Sequence, residues 1–302
     1  MESSNLGRIF RGGVYHGGMS GSKRTLWRVV FWVALAVFVI SAGILGYLAY
    51  TYWKADSEYN DVAERALDEE QVTAPGTTLA DMTVDWDYLR SINSDVVAWV
   101  YVPGTRINYP VVQGVDNDEY LHKSFSQDES FGGRGGSIFL DASCAADFMG
   151  ANSILYGHHM RDGSMFACLS NDLTSQEGFD GARTIYVLTP ACNFRYQAFS
   201  IIRTNGSDLL AQAAFADDAQ RTAYVADKIS RSLTTPAEGF PDPVEVKHIL
   251  TLATCDYQES DGRAVLFANL VDTASPGSSS TGGEVAADEP AAIQDAVNNG
   301  AQ

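Results

Sequence analysis

Cys255, His158 and Arg263 are the residues of this chain whose types and settings could make and break an acyl bond. Cys255 ends an apolar run, HILTLATC, and is followed by a polar stretch, DYQESDGR. A thiol at a strand end facing a loop is placed for attack, whereas a lone cysteine inside a strand is more often a small buried hydrophobe. His158 follows a strand in SILYGHHM, with Gly157 expected to let the backbone turn sharply there. Imidazole is the usual base partner of a thiol, although two adjacent histidines also suit an ordinary surface loop. Arg263 stands eight positions after Cys255, across an Asp261-Gly262 turn, at the start of the next strand. A hairpin of that shape returns the guanidinium to the thiol, where an always-charged group with several donors can hold an oxyanion. Each residue alone has a structural explanation; together they point to thiol acyl transfer.

The elements that must position them are mostly short strands. Val97–Val102, Ile107–Val112, Ser137–Leu140, Ser153–Tyr156, Thr184–Leu188 and Phe194–Ile202 are β-branched or aromatic runs bounded by Gly, Pro, Asn or Asp. Val244–Thr254 and Ala264–Val271 make a final pair around Asp261-Gly262. Two helices interrupt this pattern. Asp85–Ile92 puts Trp86, Leu89 and Ile92 on one face, and Asp217–Leu233 opens with acids and carries Tyr224, Val225, Ile229 and Leu233 at helical spacing. Many strands at short intervals with two helices predict a mainly β fold, a barrel or sandwich.

Composition places this body outside the cytoplasm. From Val29 to Tyr52 no residue is charged, and roughly 20 apolar residues suffice to span a bilayer as a helix. A cleaved secretory signal would have an apolar region of only about 7–15 residues, so an anchor over residues 26–53 is expected. Arg8, Arg11, Lys23, Arg24 and Arg28 precede it against Glu2 alone, which keeps residues 1–25 as a cytoplasmic tail. Residues 1–28 carry 5 - 1 = +4 of the net charge of -18, so the rest carries -18 - 4 = -22, and such a field repels phosphate backbones, excluding nucleic acid as a partner. Residues 54–83 read as an acidic stalk or a solvated first helix, 84–272 as the catalytic domain, and 273–302 as a disordered acidic tail rich in Ser and Gly. Cys144, Cys168, Cys192 and Cys255 have irregular spacings and no Cys-x-x-Cys pair, which argues against a structural zinc site and selects no disulfide. No metal or cofactor is expected.

TLATC followed by a short loop and an Arg-led strand resembles the signature of sortases, and YGHHMRDGSMF resembles the histidine loop of class B sortases in particular. INYPVVQGVDNDEYLHKSF and GGSIFLDASC resemble the same class, so the likeness covers roughly Val84 to Val271. The resemblance implies a closed β-barrel with an N-terminal helix and a helix in the loop before the cysteine strand. It makes Cys255 the nucleophile, His158 the histidine and Arg263 the arginine of the site. It also implies that Asn117, Leu121 and Thr254 bind substrate. The implied activity is cleavage of a Leu-Pro-x-Thr-Gly-like sorting motif of secreted proteins through a thioester, then transfer to an amine. That amine is a peptidoglycan-precursor cross-bridge or a pilin lysine. Ala253, where some relatives have serine, and Asp256 depart from the pattern and bear on substrate preference.

Three other readings compete. A pilus-assembling class C enzyme usually carries an Asp-Pro-aromatic lid and a second membrane segment, and neither is visible here; a class B enzyme that itself builds pili remains open. A papain-like hydrolase has its cysteine before its histidine, opposite to this order. A non-enzymatic surface-binding module would leave Cys255 as core.

Overall fold

The computed structural model describes residues 21–127, 136–206, 212–256 and 262–278. Most of the expected cytoplasmic tail, the acidic segment beyond 278, Asp261 and the side chain of Cys255 lie outside the described residues. The chain divides into two compact units, Met1–Ala55 and Asp56–Gln302.

Helix α1 runs Gly21–Ala66. Its stretch Thr25–Tyr50 is long and apolar enough to cross a membrane, and Trp27, Phe31, Trp32, Phe38 and Leu45 on it are exposed. The second unit begins with the last turns of this helix. There Tyr59, Val62 and Ala66 recur at helical spacing and are buried, with the acids Asp61 and Glu64 between them. Leu67, Val72, Leu79 and Met82 join the same hydrophobic core, past the short helix α2 (Glu69–Thr73). The segment expected as a stalk thus packs on the barrel. Its acids mark the solvent face of an amphipathic helix, and its apolar stripe is the face that is buried.

Helix α3 (Trp86–Ile92) follows, capped by Asp85, whose side chain accepts from Tyr88 N–H at 2.9 Å. Then come β1 (Val96–Tyr101), β2 (Asn108–Val112), β3 (Ile138–Leu140) and β4 (Asn152–Tyr156). After two short helices, α4 (Ala167–Asn171) and α5 (Gln176–Gly181), follow β5 (Thr184–Leu188) and β6 (Asn193–Asn205). Helix α6 (Asp218–Ser230) precedes β7 (Ile249–Asp256) and β8 (Gly262–Ala274). The eight strands close in the order β1-β2-β3-β4-β7-β8-β6-β5, with β2·β3 and β4·β7 parallel. The expected barrel is present, and closure leaves no free sheet edge.

Alternation along β7 and β8 sorts their side chains into two cores. Leu250, Leu252, Ala264, Leu266 and Ala268 belong to the large interior cluster. Ile249, Ala253, Val265 and Phe267 form a second cluster with Phe199, Ile202, Val225 and Val246, on the outer face that α6 covers. The helix expected over Asp217–Leu233 ends earlier. Leu233 lies past it, 47% exposed, with its N–H donated to Ile201 O at 2.8 Å. Tyr224, Val225 and Ile229 pack on the second core as expected, and Arg221 and Lys228 are buried beside them, the lysine ammonium lying 4.7 Å from the Tyr224 ring centroid. Val244–His248, expected as strand, is turn, and β7 starts at Ile249.

The N-terminal segment is fastened to β6 by Asn193. Its buried side-chain amide donates to the carbonyls of Leu79 and Met82, each at 2.8 Å. Asn193→Ala orphans two carbonyls in a dry site, so we expect a loss of about 2–4 kcal/mol in chemical denaturation. A loss under about 1 kcal/mol would show that water reaches these carbonyls.

Candidate active site

Three neighbouring strands bring the chemistry-bearing positions to one end of the sheet. In the parallel pair β4·β7, Tyr156 is opposite Ala253, and Gly157 N–H continues the ladder to Ala253 O at 3.1 Å. Two residues past these positions stand His158, just beyond the end of β4, and Cys255, within β7. On the other side of β7, Cys255 is the direct antiparallel partner of Arg263 in β8. Positions 255 and 263 therefore pair across adjacent strands, which lie about 4.8 Å apart, and position 158 follows the end of the strand on the other side of β7. Arg263 shares the parity of Val265, the face of the second core.

The His158 imidazole is held by its backbone surroundings. Its Nε2 lies 2.7 Å from the carbonyl oxygen of Leu121. A carbonyl only accepts, so Nε2 carries the proton and the neutral ring presents Nδ1 as its basic atom. Burial disfavours the imidazolium and holds the His158 pKa below the ordinary histidine value; the Leu121 contact opposes this, and the charge of His122 adds to it.

Glycines make this packing possible. At Gly157 an added Cβ would come within 2.5 Å of Ile138 Cδ1 and 2.6 Å of Phe166 Cδ2. Its φ is not in the left-handed region, so the expected sharp turn is absent and close approach is what requires glycine. A Cβ at Gly136 would overlap both His158 Nε2 and the Leu121 carbonyl oxygen. Beyond His158 the loop folds back. Phe166 N–H donates to His158 O at 3.0 Å, His159 bridges to Met165, and Gly163 takes a φ of +83°. Arg106 donates to Asp162 O at 2.7 Å, and Met165 N–H donates to Tyr109 Oη at 2.9 Å.

Arg263 is half-buried, with Nη1 donating to Gly262 O at 2.9 Å. Thr254 alternates to the interior face with Leu252 and Ala264, and its buried hydroxyl has no hydrogen-bond partner among the described residues. Asn117 is exposed but tied down at both ends of its amide. Nδ2 donates to Asp141 Oδ2 at 2.8 Å and Oδ1 accepts from Ala142 N–H at 2.9 Å. Burial alone would raise the Asp141 pKa, yet hydrogen bonds from Ser143, Asn117 and Tyr156 together hold it below the usual carboxylate range. Leu121 is part-buried against the core, and its backbone carbonyl is what meets His158. Sequence reading gave no role to Gly136 or to that carbonyl. The only signal for either was the glycine pair opening GGSIF, a close-approach signature beside a strand.

The remaining described cysteines are free thiols. Burial pushes Cys144 up to about 11 and Cys168 up to about 12, and it raises Cys192 as well. None is a ready thiolate at neutral pH.

A profile of the sortase domain matches residues 100–271, more than half of the chain. The chain belongs to the sortase family. Sortase B of Staphylococcus aureus is 31% identical over 189 residues, 62% of this chain and 74% of that relative. Sortase B of Listeria monocytogenes is 28% identical over 244 residues, 79% of this chain and 94% of that one. Among solved structures, Bacillus anthracis sortase B matches with a TM-score of 0.60 at 29% identity, over 73% of this sortase and 97% of that chain. The S. aureus sortase B–substrate complex matches with a TM-score of 0.55 at 29% identity, over 62% and 84%. This sortase is of class B, and it is a cysteine transpeptidase.

Proposed function

We propose that Cys255, His158 and Arg263 are the catalytic groups, acting on the sorting motif of secreted proteins. The observation that supports this best is the strand register that pairs Cys255 with Arg263 and sets Tyr156, two residues before His158, opposite Ala253, two residues before Cys255. The Cys255 thiol gives its proton to His158 and attacks the scissile carbonyl carbon. Arg263 donates to the resulting oxyanion. The C–N bond then breaks as the His158 imidazolium protonates the leaving amine, and a thioester remains. An incoming amine, its proton taken by His158, attacks the thioester carbon, and the C–S bond breaks to restore the thiol. Asn117, Leu121 and Thr254 are proposed to border the bound motif. The acceptor is a cell-wall precursor amine, with a pilin lysine as the alternative. Incubating the full-length protein with a panel of five-residue motif peptides and, separately, an oligoglycine amine or a lysine-bearing pilin fragment tests both choices by mass spectrometry. Failure to cleave any sorting-type peptide would overturn the reading.

The pH profile follows from the environment of His158. Thiol and neutral imidazole share one proton in the resting site, and uptake of a second proton by His158 removes the base. Since the folded pKa lies below 6.5, the acid limb of kcat/KM is expected below pH 6.5. The same depression contributes stability that is present above pH 6.5 and lost as pH falls through the folded value. An acid limb at or above 6.5 would show that substrate-free His158 is solvated.

We further infer that the helix Thr25–Tyr50 anchors the protein with its N-terminus in the cytoplasm, supported by its length and by the basic residues Lys23, Arg24 and Arg28 at its start. Protease added to intact protoplasts should digest the catalytic domain and spare a small N-terminal fragment. Full-length protein shed into the medium would contradict this.

A further inference from the structure

The wall against which His158 rests is fixed from outside the barrel, by a residue of α1. Tyr59 is buried, and its hydroxyl donates to Gly136 O at 3.1 Å while accepting from Phe125 N–H at 3.3 Å. Those two contacts hold the two chain segments that meet at the imidazole. Gly136 is the residue whose Cα abuts His158 Nε2, and Phe125 ends the segment that begins with Leu121, the acceptor of that nitrogen. Ser137 adds a second tie between the same segments, its hydroxyl donating to Lys123 O at 2.9 Å and its N–H to Tyr120 O at 3.0 Å. The Tyr59 ring also meets Tyr109 edge-on at 5.5 Å, and Tyr109 accepts the N–H of Met165 in the loop after His158. Burial pushes the Tyr59 hydroxyl up to about 12, so it keeps its proton and remains a donor at any working pH.

We propose that Tyr59 is a positioning residue for the reaction: by clamping Gly136 and Phe125 it holds the Leu121 carbonyl and the Gly136 Cα as a fixed seat for the His158 ring. The proposal rests on the reading of His158 as the acid and base. The seat does two things. It sets the tautomer, because only the Nε2–H form satisfies the Leu121 carbonyl, and so leaves Nδ1 to exchange protons with thiol and amine. It also fixes the ring's position, and a displacement of about 1 Å in a catalytic group costs up to about 10² in rate. The hydroxyl of Tyr59 bonds Gly136 and Phe125 and the imidazole bonds Leu121, so Tyr59 acts through orientation and its effect belongs in kcat.

Tyr59→Phe keeps the ring and its contact with Tyr109 while removing the hydroxyl. In the full-length protein in detergent, kcat is expected to fall about tenfold with KM within about twofold. In the same sample, labelled with ¹⁵N-histidine, the His158 ring should change from a single Nε2–H tautomer to a mixture. The His158 signal is assigned by its loss in His158→Ala. If Tyr59→Phe fails to fold, Ser137→Ala releases the same segment from Lys123 and is read by the same two measures. An unchanged kcat, or a reduced kcat with the tautomer intact, overturns the proposal whatever happens to the melting temperature. An active His158→Ala would instead overturn the reading of His158 itself, whereas a dead His158→Ala beside a silent Tyr59→Phe removes only the role of Tyr59.

Discussion

Cys255→Ala abolishes peptide cleavage while the melting temperature stays close to that of the parent protein: this is the largest effect expected of any single substitution. Removing the nucleophile of a unit that works together costs about 10⁶ in kcat. The backbone pairing of position 255 with Arg263 does not depend on a thiol, so the hairpin survives. The contrast with the other cysteines makes the test specific. Cys144 donates weakly to Asn152 O at 3.3 Å in the core, and Cys168 is buried in α4, so their loss bears on packing alone. Serine at 144, 168 or 192 should leave turnover unchanged at a temperature where the variant is folded. A Cys255→Ala protein that still cleaves a peptide, or one that cannot fold, would return Cys255 to the role of a packed side chain.

Arg263 and His158 should fail in different ways. An oxyanion donor acts in the transition state, so Arg263→Ala is expected to lower kcat by about 10²–10³ with little change in KM. Arg263→Lys keeps the charge without the planar fork of donors and should recover only part of the loss. His158→Ala should be at least as damaging, because departure of one amine and entry of the next both require its proton transfer. His159, bridged to Met165 within the folded-back loop, should be replaceable by alanine at almost no cost. Steady-state kinetics on these variants with one cleavable peptide decide the assignment. A fully active Arg263→Ala, or a dead His159→Ala beside a working His158→Ala, would move the site elsewhere.

What the sequence disclosed of this arrangement, and what it withheld, follows from the range of each interaction. The pairing of Cys255 with Arg263 was legible because the two positions are only eight residues apart, and the structure pairs them directly; Gly262, expected in the turn, is already in β8, opposite Asp256. The strands were legible as β-branched runs, and the two longer helices as spaced apolar residues. Helices α4 and α5 are only 5 and 6 residues long, too short to show a period. Leu233 kept the period of α6 past its end, since periodicity alone cannot place a helix terminus. The acids of residues 54–83 outweighed Tyr59, Val62 and Ala66 because charge is counted at once, whereas a buried stripe shows only when its partner surface is known. The contact of His158 with Leu121 joins residues 37 apart and uses a backbone oxygen. No choice of side chain at 121 encodes it, and only the bare Cα of Gly136 leaves a trace in the sequence.

The parallel pairing of β4 with β7 has a kinetic consequence. It joins segments almost a hundred residues apart, and no hairpin can bring parallel neighbours together. Contacts of such long sequence separation form slowly, because the entropy of closing the loop is lost before the contact rewards it. On the proposed reading of the site, the register that sets position 255 beside the end of β4 forms only with that pairing, so competence to acylate belongs to the late stages of folding. On that reading, latency of the chain before folding is complete is a property of the strand order itself.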